Sequence, residues 1–501
     1  MPRSTRFIRG ISLAFLILLL AVVYRLTLAP GLTWANHGAD GGDLIAAAAT
    51  GGVAHPTGYP VYLLAARAFQ MIPVGTLAFR TNLFSACATI LAASLLFQTM
   101  IHLKPDSSDL SAVLTGLISA FAFGFSPLIW SQAVITEVHA LHGLFVALLI
   151  LVSTDRFAQQ ATSAQLDCAF GLTFGLAMGN HMIAILLFPI MAAPLPPAES
   201  SLSPRTAMYL RPMGRRIAWM GIGLATYLSL PLRSLSHPPV NWGNPITLNG
   251  FMWLVTGNLY QDLFLTLPLA AVWERSQAAA ALLLDQFGLP GLALGLSGLV
   301  FFFRPSRWNR LSLWIMGVHG IFAVIYGADD SFLYLIPAFL CFAVWIGLGY
   351  LGMANSLSRR LGGAGTILGL SIILYLFVIS GTHWPEVDAS ADLRAEQFGR
   401  QVLAQAPLQA LVFVQGDRAT FTMWYFHYAL HERPDLVFIA TDLLPFEWYQ
   451  DILRNTYPDL VMPDLAPFPE VVIASNPGRE VCNLDEAQTP ALICEMVPGD
   501  H

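Results

Sequence analysis

Residues 11–29, ISLAFLILLLAVVYRLTLA, run directly into a polar loop that holds GADGGDL at 38–44 and VAHPTGYP at 53–60. The first stretch is long enough to cross a bilayer, which takes roughly 20 apolar residues. The loop segments are not. They place two carboxylates, a histidine and several turn-forming glycines and prolines at the end of a hydrophobic span. Ionisable groups are costly inside lipid. Asp40, Asp43 and His55 are therefore expected together at a membrane surface. Arg3, Arg6 and Arg9 precede the apolar run, which is too long for a typical signal-peptide core, so it reads as a retained anchor.

Working outward, the composition agrees. The chain has 501 residues, 55% hydrophobic and 11% charged, against about 25% charged in an ordinary soluble domain. The mean hydropathy is +0.61. A net charge of −6 without a basic tract excludes a nucleic-acid partner. Further spans are expected at 81–103, 111–128, 138–153, 165–179, 181–195, 216–232, 286–303, 311–327, 331–352 and 363–381, making about eleven in all.

With the N-terminus in the cytoplasm, the basic residues between spans fall on the cytoplasmic side. They are Lys104, Arg156, Arg205/Arg211/Arg215/Arg216, Arg304/Arg307/Arg310 and Arg359/Arg360. The positive-inside rule asks for this. The opposite face collects Asp40, Asp43, His55, Glu137, His139, Asn180, His181, Arg233, Asp329 and Asp330. The expected organisation is an α-helical polytopic membrane domain, 1–382, with long outer loops 30–80 and 233–285. A small C-terminal α/β extracytoplasmic domain, 383–501, follows. The expected location is a bacterial inner (plasma) membrane.

In the tail, 410–414, 437–440 and 471–474 read as strands and 421–430 as a helix. The turn Gln415-Gly-Asp-Arg follows a strand, where ligands often bind, although Asp417 as a helix cap is the simpler reading. Cys482 and Cys494 can pair if this part faces an oxidising compartment. The other cysteines, in apolar spans, read as packing residues.

Each candidate has a plain structural reading beside the chemical one. Paired carboxylates suit general-base work or metal binding, so a divalent metal is compatible with Asp40 and Asp43. Asp43 alternatively caps a short helix. His55, Pro56, Gly58 and Tyr59 form a rigid turn, or merely a helix entry. Glu137 with His139 lines a cavity, or starts a helix whose dipole favours an acid. Asn180-His181 is a polar break between short spans, of the kind that lines cavities. Arg233 binds an anion such as phosphate or snorkels. Asp329, Asp330 and Tyr334 hold a sugar or metal, or end a loop beside an aromatic anchor.

These motifs together resemble a known family. Asp-x-Gly-Asp with His-Pro-x-Gly-Tyr-Pro is similar to the first outer loop of a large GT-C-type membrane family. It is mostly uncharacterised in bacteria and includes a vertebrate protein O-mannosyltransferase acting on plexin-type domains. Further resemblances are Trp130-Ser-Gln with Glu137, Gly179-Asn180-His181, Leu230-Pro-Leu-Arg233-Ser, Asn241-Trp242-Gly-Asn244-Pro, Tyr334-Leu-Ile-Pro337, Gly416-Asp417, Trp424-Tyr425 and Arg433-Pro434-Asp435. The family pattern usually has Glu where this chain has Asp43. The resemblance implies a membrane glycosyltransferase using a polyprenyl-phosphate-linked sugar, mannose by family precedent, and an acidic residue in the first outer loop. It implies transfer with inversion to a hydroxyl on a protein, lipid or glycan acceptor.

Asp40 is then the expected base with Asp43 as its deputy. His55, Tyr59, Glu137, His139, Asn180, His181, Arg233, Asn241, Trp242, Asn244, Asp329, Asp330 and Tyr334 are the expected donor- and substrate-binding residues. Arg233 and His181 would face the departing phosphate. The competing reading is a transporter or flippase of a polar or lipid-linked substrate. It accounts less well for a polar tail and for ionisable motifs on one face rather than at the midplane. A non-catalytic receptor is a third.

Overall fold

The computed structural model describes residues 3–103, 109–154, 162–192, 205–301, 307–464, 468–488 and 491–496. Lys104, Arg156 and Arg304 lie outside them. Among the described residues, five helices are long and apolar enough to cross a membrane: 6–27, 77–103, 269–301, 331–358 and 364–387. Leu110–Gly124 and Pro127–Ala133, bent by 68° at their junction, make a sixth if they form one span. Val138–Val152, Ser163–Asn180, Arg205–Leu224 and Arg307–Ile325 are helices at four more expected positions. The first of these is short, and Arg205–Leu224 carries arginines.

Two expectations change here. Segment 181–195 is not one continuous helix. After His181 the chain forms a 3-10 segment, Met182–Leu187, and then Phe188–Ala192. Loop 233–285 is also shorter than expected, because a helix begins at Leu269 and continues to Phe301 through a kink at Gly288.

The first outer loop is ordered. A 3-10 turn, Ala35–Asp40, leads into helix Gly41–Thr50, which Gly51 closes with φ of 71°. Glycine reaches this left-handed conformation at little cost. Helix Pro60–Gln70 follows, with proline at its first turn, where a missing N–H does no harm. Helix Gly41–Thr50 is buried along Gly41 to Ala48. Its apolar cluster also includes Leu230 just before the second outer loop, Val240 and Trp242 within it, and Phe421, Trp424 and Tyr428 from the tail. One hydrophobic core thus joins three segments that are remote in sequence.

The two outer loops also pair through their backbones. Val53 N donates to the Val240 carbonyl at 2.9 Å, and Trp242 N donates to the Val53 carbonyl at 3.2 Å. This fixes the rim of the His55 turn against Trp242.

Among the described residues, the tail forms a four-stranded sheet of β1 (Leu411–Gln415), β2 (Val437–Ala440), β3 (Glu480–Asp485) and β4 (Leu492–Met496), in the order β2-β1-β3-β4. Strands β1 and β2 lie where expected and are parallel. β3 runs parallel to β1 and antiparallel to β4. Residues 471–474 are not a strand but part of helix Pro469–Ser475. A short apolar run suits either form, and Pro469 at the first helical position favours the helix. Cys482 and Cys494, directly opposite on β3 and β4, form a disulfide.

The tail docks on the first loop through helix Asp417–Trp424. Trp34 Nε1 donates to Thr422 Oγ1 at 3.2 Å. A Cβ on Gly42 would sit 2.2 Å from the Phe421 carbonyl oxygen, so only glycine permits this approach. Gly42→Val is expected to destabilise the docked tail by about 1–3 kcal/mol, the usual cost of overpacking. Faster proteolysis of the tail at constant thermal stability of the membrane part would register it. Unchanged proteolysis would mean that the contact is dispensable.

Candidate active site

The Asp40 loop, the Tyr59 turn, the His181 break, the 326–334 turn and the tail enclose one cavity of ≈ 620 Å³. Asp40, His55, Tyr59, His181, Asp329, Asp330 and Tyr334 line it, with His37 and the tail's Asp417 and Arg418. Met182, Ile183, Ile185, Leu186 and Phe322 make part of the wall apolar.

The acidic pair is organised by His55. Its Nδ1 lies 2.7 Å from Asp43 Oδ2, and its Nε2 lies 3.6 Å from Asp40 Oδ2. Asp43 is fully buried. Its Oδ2 also accepts from the His55 backbone N–H at 3.0 Å, and its Oδ1 accepts from Trp242 Nε1 at 3.0 Å. Asp43 lies in the first turn of Gly41–Thr50, yet its hydrogen bonds go to the His55 turn and Trp242, so the capping reading does not describe its role. Asp40 precedes that helix, makes no side-chain capping bond, and keeps 35% of its side chain exposed. Of the two carboxylates, it is the one open to a substrate.

Burial opposes charge on His55, but the charge of Asp40 and the hydrogen bond and charge of Asp43 outweigh it, raising its pKa to about 9. Burial raises the pKa of Asp40. The positive His55 opposes that shift, and the nearby Asp43 adds to it. Burial, then Asp40, also raises Asp417, to about 6. Asp330 rises for the same two leading reasons.

Because the folded pKa of His55 lies above the ordinary 6.5, its stabilising contribution is complete below that pH and disappears as pH rises through about 9. The melting temperature should fall across this alkaline window, and His55→Gln should flatten the fall. An identical alkaline limb in the variant would exclude His55 as its source.

The other expected residues occupy different layers. Trp242 stands behind the cavity, bonded to Asp43. Glu137 is buried and caps helix Val138–Val152 through its own Val138 N–H at 3.0 Å. Burial, followed by the charge of Asp40, pushes its pKa well up. His139 lies behind the wall, with ring centroids 5.5 Å from His181 and 5.6 Å from Tyr334. Asn180 donates to the Val138 carbonyl at 3.2 Å. Asn241 and Asn244 accept from Ser234 at 2.9 and 2.8 Å and shape the second-loop turn. Arg233 does not line this cavity. Its Nη1 donates to the Gly52 carbonyl at 3.1 Å.

His37, Asp417 and Arg418 were absent from the expected set. The position of Asp417 just after a strand was the usable signal for the last two. Asp43 has both oxygens engaged, and among the described residues no three His, Cys, Asp or Glu side chains are grouped to hold a metal ion.

Comparison with solved structures shows a GT-C-type fold. ArnT from Cupriavidus metallidurans, bound to undecaprenyl phosphate, matches with a TM-score of 0.59 at 12% identity, over 95% of this chain and 94% of that one. The archaeal oligosaccharyltransferase AglB from Archaeoglobus fulgidus, in complex with an inhibitory peptide and a dolichol-phosphate, matches with a TM-score of 0.53 at 12% identity, over 96% and 70%. The "Protein O-mannosyl-transferase TMEM260 N-terminal domain" family matches residues 40–195, and "TMEM260-associated domain 2" matches residues 395–460. The mouse protein O-mannosyl-transferase TMEM260 is 27% identical over 474 residues, 88% of this chain and 64% of its own length. The Dictyostelium discoideum counterpart is 25% identical over 516 residues, 89% of this chain and 60% of its own. The chain is thus similar, in fold and over these two segments, to the GT-C family that includes TMEM260, and it spans less than two thirds of the length of these curated relatives.

Proposed function

We propose that the protein transfers a sugar from a polyprenyl-phosphate donor to an acceptor hydroxyl on the extracytoplasmic face of a membrane. The observation that carries this reading is Asp40, a part-exposed carboxylate held beside His55 in a cavity with both polar and apolar walls. Asp40 takes the acceptor's proton as its oxygen attacks the anomeric carbon. The carbon–oxygen bond to phosphate breaks, and its electron pair leaves on the phosphate. A single displacement of this kind inverts the anomeric centre. Arg418 stands on the cavity wall as a cation for the departing phosphate, where positive charge favours the transition state, and His37 stands there as a hydrogen-bonding group. His55, charged between two carboxylates, keeps the pair from repelling each other and turns Asp40 toward the cavity.

The tail takes part in the proposed site by supplying Asp417 and Arg418 to the cavity wall. Mannose, the sugar in the names of the curated relatives, is the donor sugar to test first. The disulfide between β3 and β4 is consistent with a tail outside the cytoplasm. The test is incubation of purified protein with labelled undecaprenyl-phosphate mannose and a panel of hydroxyl acceptors. The expected products are free undecaprenyl phosphate and a mannosylated acceptor. Substrate flux across vesicles without turnover would replace this reading with transport.

A further inference from the structure

Behind the cavity wall lies a cluster of histidines drawn from three separate elements. His139 and His142 sit on Val138–Val152, His181 ends Ser163–Asn180, and His319 sits on Arg307–Ile325. Ring centroids are 5.5 Å apart for His139 and His181, 6.0 Å for His142 and His181, and 6.5 Å for His142 and His319. Only His181 among these reaches the cavity.

The hydrogen bonds assign the tautomers. The Ile183 N–H donates to His181 Nδ1 at 3.2 Å. A neutral His181 therefore carries its proton on Nε2. His319 Nδ1 lies 2.9 Å from the Ile315 carbonyl, which can only accept. A neutral His319 therefore has a bare Nε2. That atom, both ring nitrogens of His142 and Asn180 Oδ1 are buried with no hydrogen-bond partner among the described residues. His142, His319 and Asn180 are each at most 2% exposed.

Buried polar atoms are normally paired, and imidazoles placed in an apolar region for packing alone would be an expensive choice. No hydrogen bond joins these rings directly, and their spacing suits bridging water, which binds nearly as well as a direct contact. Each neutral imidazole offers one donor and one acceptor, as a sugar hydroxyl does.

We propose that His142 and His319, with Asn180, form a hydrated chamber that holds His181 as an Nε2–H donor to a hydroxyl of the donor sugar. His181 touches the sugar. His142 is a positioning residue that acts through His181. The chamber thus reads the sugar and not the lipid or its phosphate, and its neutral groups suit an uncharged hydroxyl-bearing ring. This rests on the glycosyl-transfer reading.

The test compares binding of undecaprenyl phosphate and undecaprenyl-phosphate mannose to full-length wild type, H142L, H142F and H142Q. The apolar variants should bind the mannosylated lipid about 3- to 10-fold more weakly, the scale of one net hydrogen bond, with bare lipid phosphate unaffected. H142Q, which retains a donor and an acceptor, should recover most of the loss. Equal weakening toward both lipids, or none, overturns the proposal. It also falls if H142Q folds and neither apolar variant does, because the polarity would then be structural. Wild-type protein that binds neither lipid would instead sink the glycosyl-transfer reading itself.

Discussion

Asp40→Asn is expected to lower turnover by about 10²- to 10⁴-fold, the usual contribution of a positioned general base, with little change in thermal stability. Asp40 makes no capping bond, is partly exposed, and lies 3.6 Å from His55 without the close contacts that hold Asp43. Asparagine fits the same space, so the fold is not taxed. It cannot accept the acceptor's proton. The substitution also removes a negative charge that raises the pKa of His55, so any alkaline loss of stability should move to lower pH. Single-turnover release of undecaprenyl phosphate, with melting measured on the same preparation, separates the effects. Turnover equal to wild type would remove Asp40 from the chemistry.

Asp43→Ala is expected to act on the fold rather than only on the reaction. Its carboxylate accepts from Trp242 Nε1, the His55 backbone N–H and the His55 ring. Removing it strands these donors in a buried setting and leaves the imidazole without its nearest counter-charge. Breaking a buried pair by deleting one partner costs about 3–5 kcal/mol. A clear fall in melting temperature should result, together with disorder at the junction of the two outer loops, seen as increased hydrogen exchange across Val53 to Tyr59. Wild-type stability in this variant would show that Trp242 and His55 find other partners. The paired experiments divide the acids cleanly: Asp40 for rate, Asp43 for architecture.

Much of the membrane part was legible because lipid imposes a simple length and polarity rule. The helices at 6–27, 77–103, 331–358 and 364–387 were visible as apolar runs. The break after Asn180 was visible as a polar pair, but not its continuation as a 3-10 turn, since hydropathy carries no information about hydrogen-bond spacing. In the tail, β1 and β2 were plain short apolar strands, whereas β3 and β4 carry charged and polar residues and gave little signal.

The Asp40–Asp43–His55 grouping was readable because it is local. What sequence could not convey was contact across distance. Trp242 meets Asp43 across a separation of 199 residues. Asp417 reaches the cavity only because Gly42 lets the tail helix approach. The position of Arg233 is a similar case: its charge was evident, but its turn toward the Gly52 carbonyl depends on how the two outer loops pair.

The bond between Trp34 and Thr422 spans 388 residues. A ribosome makes these partners far apart in time. A chain interrupted before its tail would have inserted its helices and its acidic loop, yet its cavity would lack the wall that carries Asp417 and Arg418. On the glycosyl-transfer proposal, synthesis order would then act as a safeguard, because the cavity proposed to hold the lipid-linked sugar is completed only once the tail is made.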